Sequence, residues 1–295
     1  MATSSATTQI LPGVAFACLA VASLSMTPSL AAAASDTDEE VLASAAPAAS
    51  QAQSPPGSRD FLFGRPKVII GVRAQWLLAR ADSEIFRFFG ERLSPISESM
   101  KPASDRRSIG GEDFTAPGIA VDVGIPLTSR LDVVGGFEFS RVSIPSSFRN
   151  FSEVVDGVEL EIEQTTSLSQ VALSGSLELA LTPRGRAIGQ FAWIPARVTP
   201  YVGAGFGALL YRLEQIGDFV DEADNSIFSA RLEHHKWTPE THAYGGVDVR
   251  LHHHVQLTVE ARYLWAAASM SRDFVDFDDI DLAGLRLTTG IQLSF

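Results

Sequence analysis

The sequence is short of three things, and each shortage removes a class of protein. It has a single cysteine, Cys18, in 295 residues. That excludes an internal disulfide framework and a cysteine metal site. It has no run of the ~18 to 20 continuous apolar residues that a spanning helix of a mature protein needs. It is poor in positive charge, with 23 Lys and Arg against 35 Asp and Glu, a net charge of -12. So acidic a chain is not built to hold nucleic acid.

What is present starts with an export-type segment. Val14 to Leu24 is a short apolar stretch, and Thr27, Pro28 and Ala31 to Ala34 supply small residues at signal-peptidase spacing. Residues 1 to 34 therefore read as a secretory signal peptide, although the n-region has no Lys or Arg. Ala15 stands where a lipobox wants a large aliphatic residue, which disfavours lipidation at Cys18. Residues 35 to 60 are rich in Ala, Ser, Pro and acids. Such a composition cannot bury enough surface to order itself, so this is a disordered leader. The expected domain is residues 61 to 295.

From Lys67 onward the pattern is period two. KVIIGVRAQWLLAR (67–80) places Val68, Ile70, Val72, Ala74, Trp76 and Leu78 on one face, with Gly71, Arg73 and Gln75 on the other. The same alternation runs through 118–127, 131–142, 167–181, 201–212, 241–251, 255–265 and 282–295. That is eight strands, because side chains alternate faces along a strand and not along a helix. The connections alternate between long and short, as in an outer-membrane barrel with long outer loops and short inner turns. Residues 182 to 200 break that alternation, a long segment where a short turn is due, and suggest a plug or a periplasm-contacting piece.

The faces opposite the apolar ones carry charge in mid-strand: Arg73, Asp122, Asp132, Glu138, Glu178, Asp248, Arg250, Glu260, Arg262 and Arg286. In a secreted β-sandwich or a soluble lipocalin-like barrel these would face water. In a membrane barrel they face a lumen and must pair with each other. The apolar faces carry aromatics near strand ends, namely Trp76, Phe137, Phe139, Tyr263 and Trp265, as a bilayer girdle does. The reading is an all-β, eight-stranded antiparallel up-and-down transmembrane β-barrel, its lumen filled by a charged side-chain network.

The export segment, the eight strands, TPYVGAGFGALLYR (199–212), VQLTVEARYLW (255–265) and GLRLTTGIQLSF (284–295) together resemble the small outer-membrane β-barrel family, of OmpA-like or OmpW-like type. The resemblance covers about residues 61 to 295. It implies a bacterial outer-membrane location, contact with outer-membrane lipid and lipopolysaccharide, and recognition of the last strand by the barrel assembly machinery. The matching positions for that assembly signal are Leu287, Thr289, Ile291, Leu293 and Phe295.

Other motifs read blandly. Gly203 to Ala208 fits G-x-G-x-x-A, but it lies within a strand with no helix after it, so the glycines more plausibly clear lumen space than cradle a pyrophosphate. His252, His253 and His254 are adjacent in a turn and cannot all face one metal ion. Asp218, Asp221, Glu222 and Asp224, and then Asp273 to Asp281, lack EF-hand spacing and read as solvated loops, with divalent bridging to lipopolysaccharide as a weaker idea. No cofactor is implied. The functional expectation is a non-enzymatic structural or surface-interaction barrel. The alternatives are a narrow channel or lateral route for small hydrophobic solutes and, more remotely, a lipid-modifying enzyme using His242 and a serine.

Overall fold

The computed structural model describes residues 62–189, 191–221, 224–274 and 276–295. The expected signal peptide and leader lie outside these residues. Eight strands make the barrel: β1 Ile69–Ala79, β2 Ala116–Pro126, β3 Leu131–Val155, β4 Val158–Ala180, β5 Val198–Val220, β6 Ile227–Arg250, β7 Val255–Trp265 and β8 Gly284–Ser294, and a short ninth strand of the same sheet, Leu93–Pro95, pairs with Ser146–Phe148 of β3. Each of the eight pairs antiparallel with the next in sequence, and β8 pairs with β1. The sheet is therefore a closed up-and-down barrel.

The stagger of the barrel follows from the register. Cross-strand partners lead from Ile69 through Gly124, Val134, Ser176, Gly205, His242, Leu264 and Gly284 back to β1 at Ala79, ten residues further along. At ordinary strand rise and spacing, that stagger tilts the strands by about 40°. An 11-residue strand such as β1 then rises about 28 Å along the barrel axis, the thickness of a bilayer's hydrocarbon core.

Alternation decides which way each side chain points. Along β1 the pattern is strict: Arg73 and Gln75 are buried, while Val72 and Trp76 are exposed. Val121, Val123, Leu177, Leu179, Val202, Phe206, Val259, Leu287 and Ile291 are exposed in the same way on the other strands. A soluble barrel inverts this arrangement. Here the outside is a continuous apolar belt and the inside holds the charges, as the bilayer requires.

Three expectations for the connections are corrected. Residues 143–165 and 213–239 were expected to be loops. Instead they are the upper parts of β3 with β4 and of β5 with β6, which run on as two long hairpins. The first closes at Asp156 and Gly157, with φ of 53° and 80°. Both central residues at positive φ make the tight turn whose twist matches its strands. The segment between β1 and β2 was expected to be loop throughout, and it contains a helix, α1 (Glu84–Arg92). Ile85, Phe86 and Phe89 fall on one face of α1 and are buried against Phe114, Ile144, Phe148, Leu213 and Phe274. An apolar core thus closes the end of the barrel at which the long hairpins stand.

Residues 182–200 form neither a turn nor a free loop. They make a small hairpin, Gly185–Ile188 with Ala192–Pro195, which pairs with Leu62–Phe63 in a separate three-stranded sheet at the opposite end.

Candidate functional site

The lumen is built in layers. Lowest, near the short turns, Arg184 enters from the 182–200 connection. It pairs with Asp132 at 2.6 Å, with Asp248 at 2.8 Å, and with Glu178. All three carboxylates are buried. The Arg184 guanidinium also lies over the Tyr201 ring, 6.0 Å from its centroid.

Above it runs an alternating chain of charges. Asp122 pairs with Arg73 at 2.7 Å, and Arg73 with Glu260 at 2.7 Å. Glu260 pairs with Arg262 at 3.0 Å, and Arg262 with Glu138 at 2.7 Å. Glu138 also holds Arg286, which donates to Gln170 Oε1 at 3.0 Å. Tyr201 donates its hydroxyl to Glu260 at 3.0 Å, and Arg262 stacks 4.6 Å over Tyr244. Five strands supply the six charges of this chain.

Glycine makes room for this filling. A Cβ on Gly203 would overlap the Tyr244 ring, and one on Gly246 would come within 2.5 Å of the Tyr201 hydroxyl. Within the G-x-G run, Gly203 seats the Tyr244 ring and Gly205 leaves room for His242, while Gly207 lies against Ser174 and Glu240. Between the two clusters, a cavity lined by Arg73, Asp122, Asp132, Glu178, Arg184 and Tyr244 has a volume of about 20 Å³, room for about one water.

Nine of the ten expected lumen charges lie in these two clusters. Arg250 does not, which corrects its expected place. It is the last residue of β6, half-buried at the barrel's mouth, and among the described residues it joins no ion pair of the network. Arg184 takes its role. The sequence pattern missed Arg184 because it lies outside every strand. The one hint was an excess of lumen acids over lumen arginines.

His242 faces the lumen, 2% exposed and 3.6 Å from Glu240. Among the described residues its two ring nitrogens have no hydrogen-bond partner. It faces the lumen and not the lipid, near Ser176 across Gly205, and among the described residues no serine hydroxyl is hydrogen-bonded to it. His252, His253 and His254 form the β6–β7 turn, and His254 Nδ1 lies 2.7 Å from the Ser294 carbonyl.

On the outside, Trp76, Phe137, Phe139 and Trp265 are exposed and Tyr263 is half-buried, its ring 4.8 Å from that of Trp265. Trp237, exposed on β6, joins the same outward surface. It was missed because its segment read as loop. Leu287, Thr289, Ile291, Leu293 and Phe295 all point outward from β8 or just beyond it. Phe295 also closes the seam: its amide donates to the Val68 carbonyl at 2.9 Å, and its carbonyl accepts from Lys67 at 2.6 Å.

At the far end the hairpins and α1 enclose a second cavity of about 230 Å³, lined by Ile85, Phe88, Leu93, Phe148, Phe219 and Phe277, with Arg92 and Asp273 at its edge. The surrounding loop is tied by ion pairs. Arg107 grips both oxygens of Asp113, at 2.6 and 2.7 Å. Burial raises the Asp113 carboxyl, but Arg107 and the Gly110 amide outweigh it and hold the group below its ordinary range. The Arg212 hydrogen bond does the same for Glu233.

A tilted eight-stranded barrel, apolar outside and charged within, is of the transmembrane class built by small outer-membrane proteins. No protein-family model and no curated protein sequence matches the chain. Among solved structures, the chain is similar to Neisserial surface protein A, at 11% identity and TM-score 0.40 over 79% of this chain and 99% of that one. It is also similar to Ail, the attachment invasion locus protein of Yersinia pestis, at 12% identity and TM-score 0.35 over 79% and 100%. A third is outer membrane protein AlkL, at 15% identity and TM-score 0.33 over 88% and 97%. The architecture stated above rests on the strand register.

Proposed function

We propose that the chain is an integral outer-membrane β-barrel protein with a closed lumen, acting structurally or through its outer surface. One observation carries this: the Arg184 cluster, the Arg–carboxylate chain and the apolar core under α1 succeed one another along the lumen. A cavity between the two charge clusters with room for about one water is too small for a continuous ion path at that level. What remains to interact is the pair of long hairpins and the 81–115 segment. Outer-membrane lipid and lipopolysaccharide are the surroundings such a belt fits, and the barrel assembly machinery is the partner that the family resemblance implies for β8. The signal peptide and leader belong to this reading as the export route.

The test has two arms. Fractionation of cells should place the chain in the outer membrane, with gel migration that shifts on heating; recovery as a soluble periplasmic protein refutes the membrane assignment. In planar bilayers the folded protein should give no channel events, and steady unitary conductance refutes the closed lumen.

The apolar 230 Å³ cavity favours a second reading, a lateral route for small hydrophobic solutes. It predicts that bulky substitutions at Phe148 or Phe219 alter uptake of such solutes by cells. Unchanged uptake removes it.

A further inference from the structure

The two ends of the barrel differ in charge, and the difference builds a site. The segments at the short-turn end, 62–68, 127–130, 181–197 and 250–254, contain Arg65, Lys67, Arg130, Arg184, Arg186, Arg197 and Arg250 and no Asp or Glu. Arg184 is taken up by its three lumen carboxylates. Arg197 and Arg250 are not taken up. They are joined through the backbone, Arg250 N to Arg197 O at 2.8 Å, and neither side chain has an ion-pair partner among the described residues. Two like charges held side by side are unfavourable unless an anion lies between them.

The space for that anion is present. Arg197, Arg250, His252 and His253 line a groove of about 420 Å³ together with Val198 and Leu251. Val198, the first residue of β5, and Leu251, just after β6, are exposed, at 54% and 61%. The groove is thus cationic on one wall and continuous with the lipid-facing surface on the other. This is the arrangement a phospholipid needs, with its phosphate against guanidinium forks and its acyl chains along the belt. Beside it the small hairpin exposes Ile188 and Phe191, at 50% and 75%, apolar groups at the depth where a membrane interface lies.

We infer that the Arg197–Arg250 groove is a binding site for an anionic phospholipid of the periplasmic leaflet, recognised through its phosphodiester head. The inference rests on the membrane assignment above. It also accounts for Arg250 standing outside the lumen network.

The test uses the full chain folded into nanodiscs of mixed phosphatidylethanolamine and phosphatidylglycerol, with mild extraction and native mass spectrometry of the lipid that stays bound. Phosphatidylglycerol should be carried over in excess of its share of the disc. Arg197→Gln with Arg250→Gln should cut that excess, on the order of fivefold for each arginine removed. Arg141→Gln, an exposed arginine on the extracellular side of the belt, should leave it unchanged. Wild-type enrichment in the double variant overturns the site, as does equal retention of phosphatidylethanolamine. Displacement of the lipid by soluble glycerol 3-phosphate shows that phosphate alone is recognised, and overturns the lipid assignment. A chain that gives no heat-shifted band and does not enter the discs fails at the membrane assignment, a result distinct from all of these.

Discussion

Arg184 and Asp248 lie 64 positions apart in sequence and 2.8 Å apart in the barrel's mouth. The arginine belongs to no barrel strand, yet it is the shared counter-ion of Asp132, Glu178 and Asp248. Arg184→Gln should therefore leave three buried carboxylates without a cation, at a cost of about 3–5 kcal/mol. The expected result is a lower temperature for the heat-induced gel shift. Adding Asp132→Asn should recover part of the loss. An unchanged transition in the single variant would show that water already carries these charges.

Glu138 is a stronger node than Arg286. It holds both Arg262 and Arg286. Glu138→Gln leaves Arg286 without a carboxylate and takes one of the two from Arg262, which keeps Glu260; it should therefore destabilise more than Arg286→Gln, which leaves Glu138 still paired with Arg262. Urea unfolding of the two variants in the same lipid decides the order, and the reverse ranking contradicts the chain of charges described here.

Gly203 has a steric role that a paired substitution isolates. Gly203→Val drives a side chain into the Tyr244 ring and should prevent most molecules from reaching the heat-shifted folded form. Tyr244→Ala in the same chain should restore folding, because it removes the clash. Failure of the rescue would mean that the glycine is needed for backbone reasons instead.

The last residue can be tested without opening the seam. Phe295→Asp keeps the backbone bonds to Lys67 and Val68 and changes only the outward side chain. Outer-membrane yield should drop far more than in Arg286→Gln. Equal yields would count against an assembly role for the terminal aromatic.

The 81–115 segment should loosen in acid. Asp113 sits below its ordinary range in the folded protein. Its carboxylate therefore stabilises the loop above the unfolded pKa of ~4, and that contribution is lost as pH falls through the lowered folded value. Amide hydrogen exchange at Gly110, whose N–H donates to Asp113 at 2.9 Å, should speed up below pH 4 after correction for intrinsic rates. Asp113→Asn should exchange fast at every pH.

The barrel was legible because lipid and lumen impose opposite chemistry on alternate residues, and Arg73 between Val72 and Ala74 is enough to show it. Above the membrane that contrast ends. Residues 143–155 carry Pro145 and several serines, so no apolar stripe marks β3 as continuing, and the better signal was Asp156–Gly157. The helix also left a trace in Ser83 and Glu84 before Ile85, Phe86 and Phe89. Arg184 left none in its own segment, because only the closed barrel brings it to the acids. Arg250 was misplaced because strand periodicity assigns a face but not a depth, and at the last residue of a strand depth decides.

Closure by β8 on β1 has a consequence for the order of assembly. The two strands that meet at the seam are the first and the last of the barrel. Until the final strand is delivered, β1 presents a bare row of amides and carbonyls, and the remaining strands form a curved ribbon with two live edges. Every other neighbour pair forms between strands adjacent in sequence, but this one must wait for the whole chain, and long-range closure is the slow step of a β-topology. An interrupted chain lacking residues 284–295 would therefore be a template for other edges rather than a slightly smaller barrel.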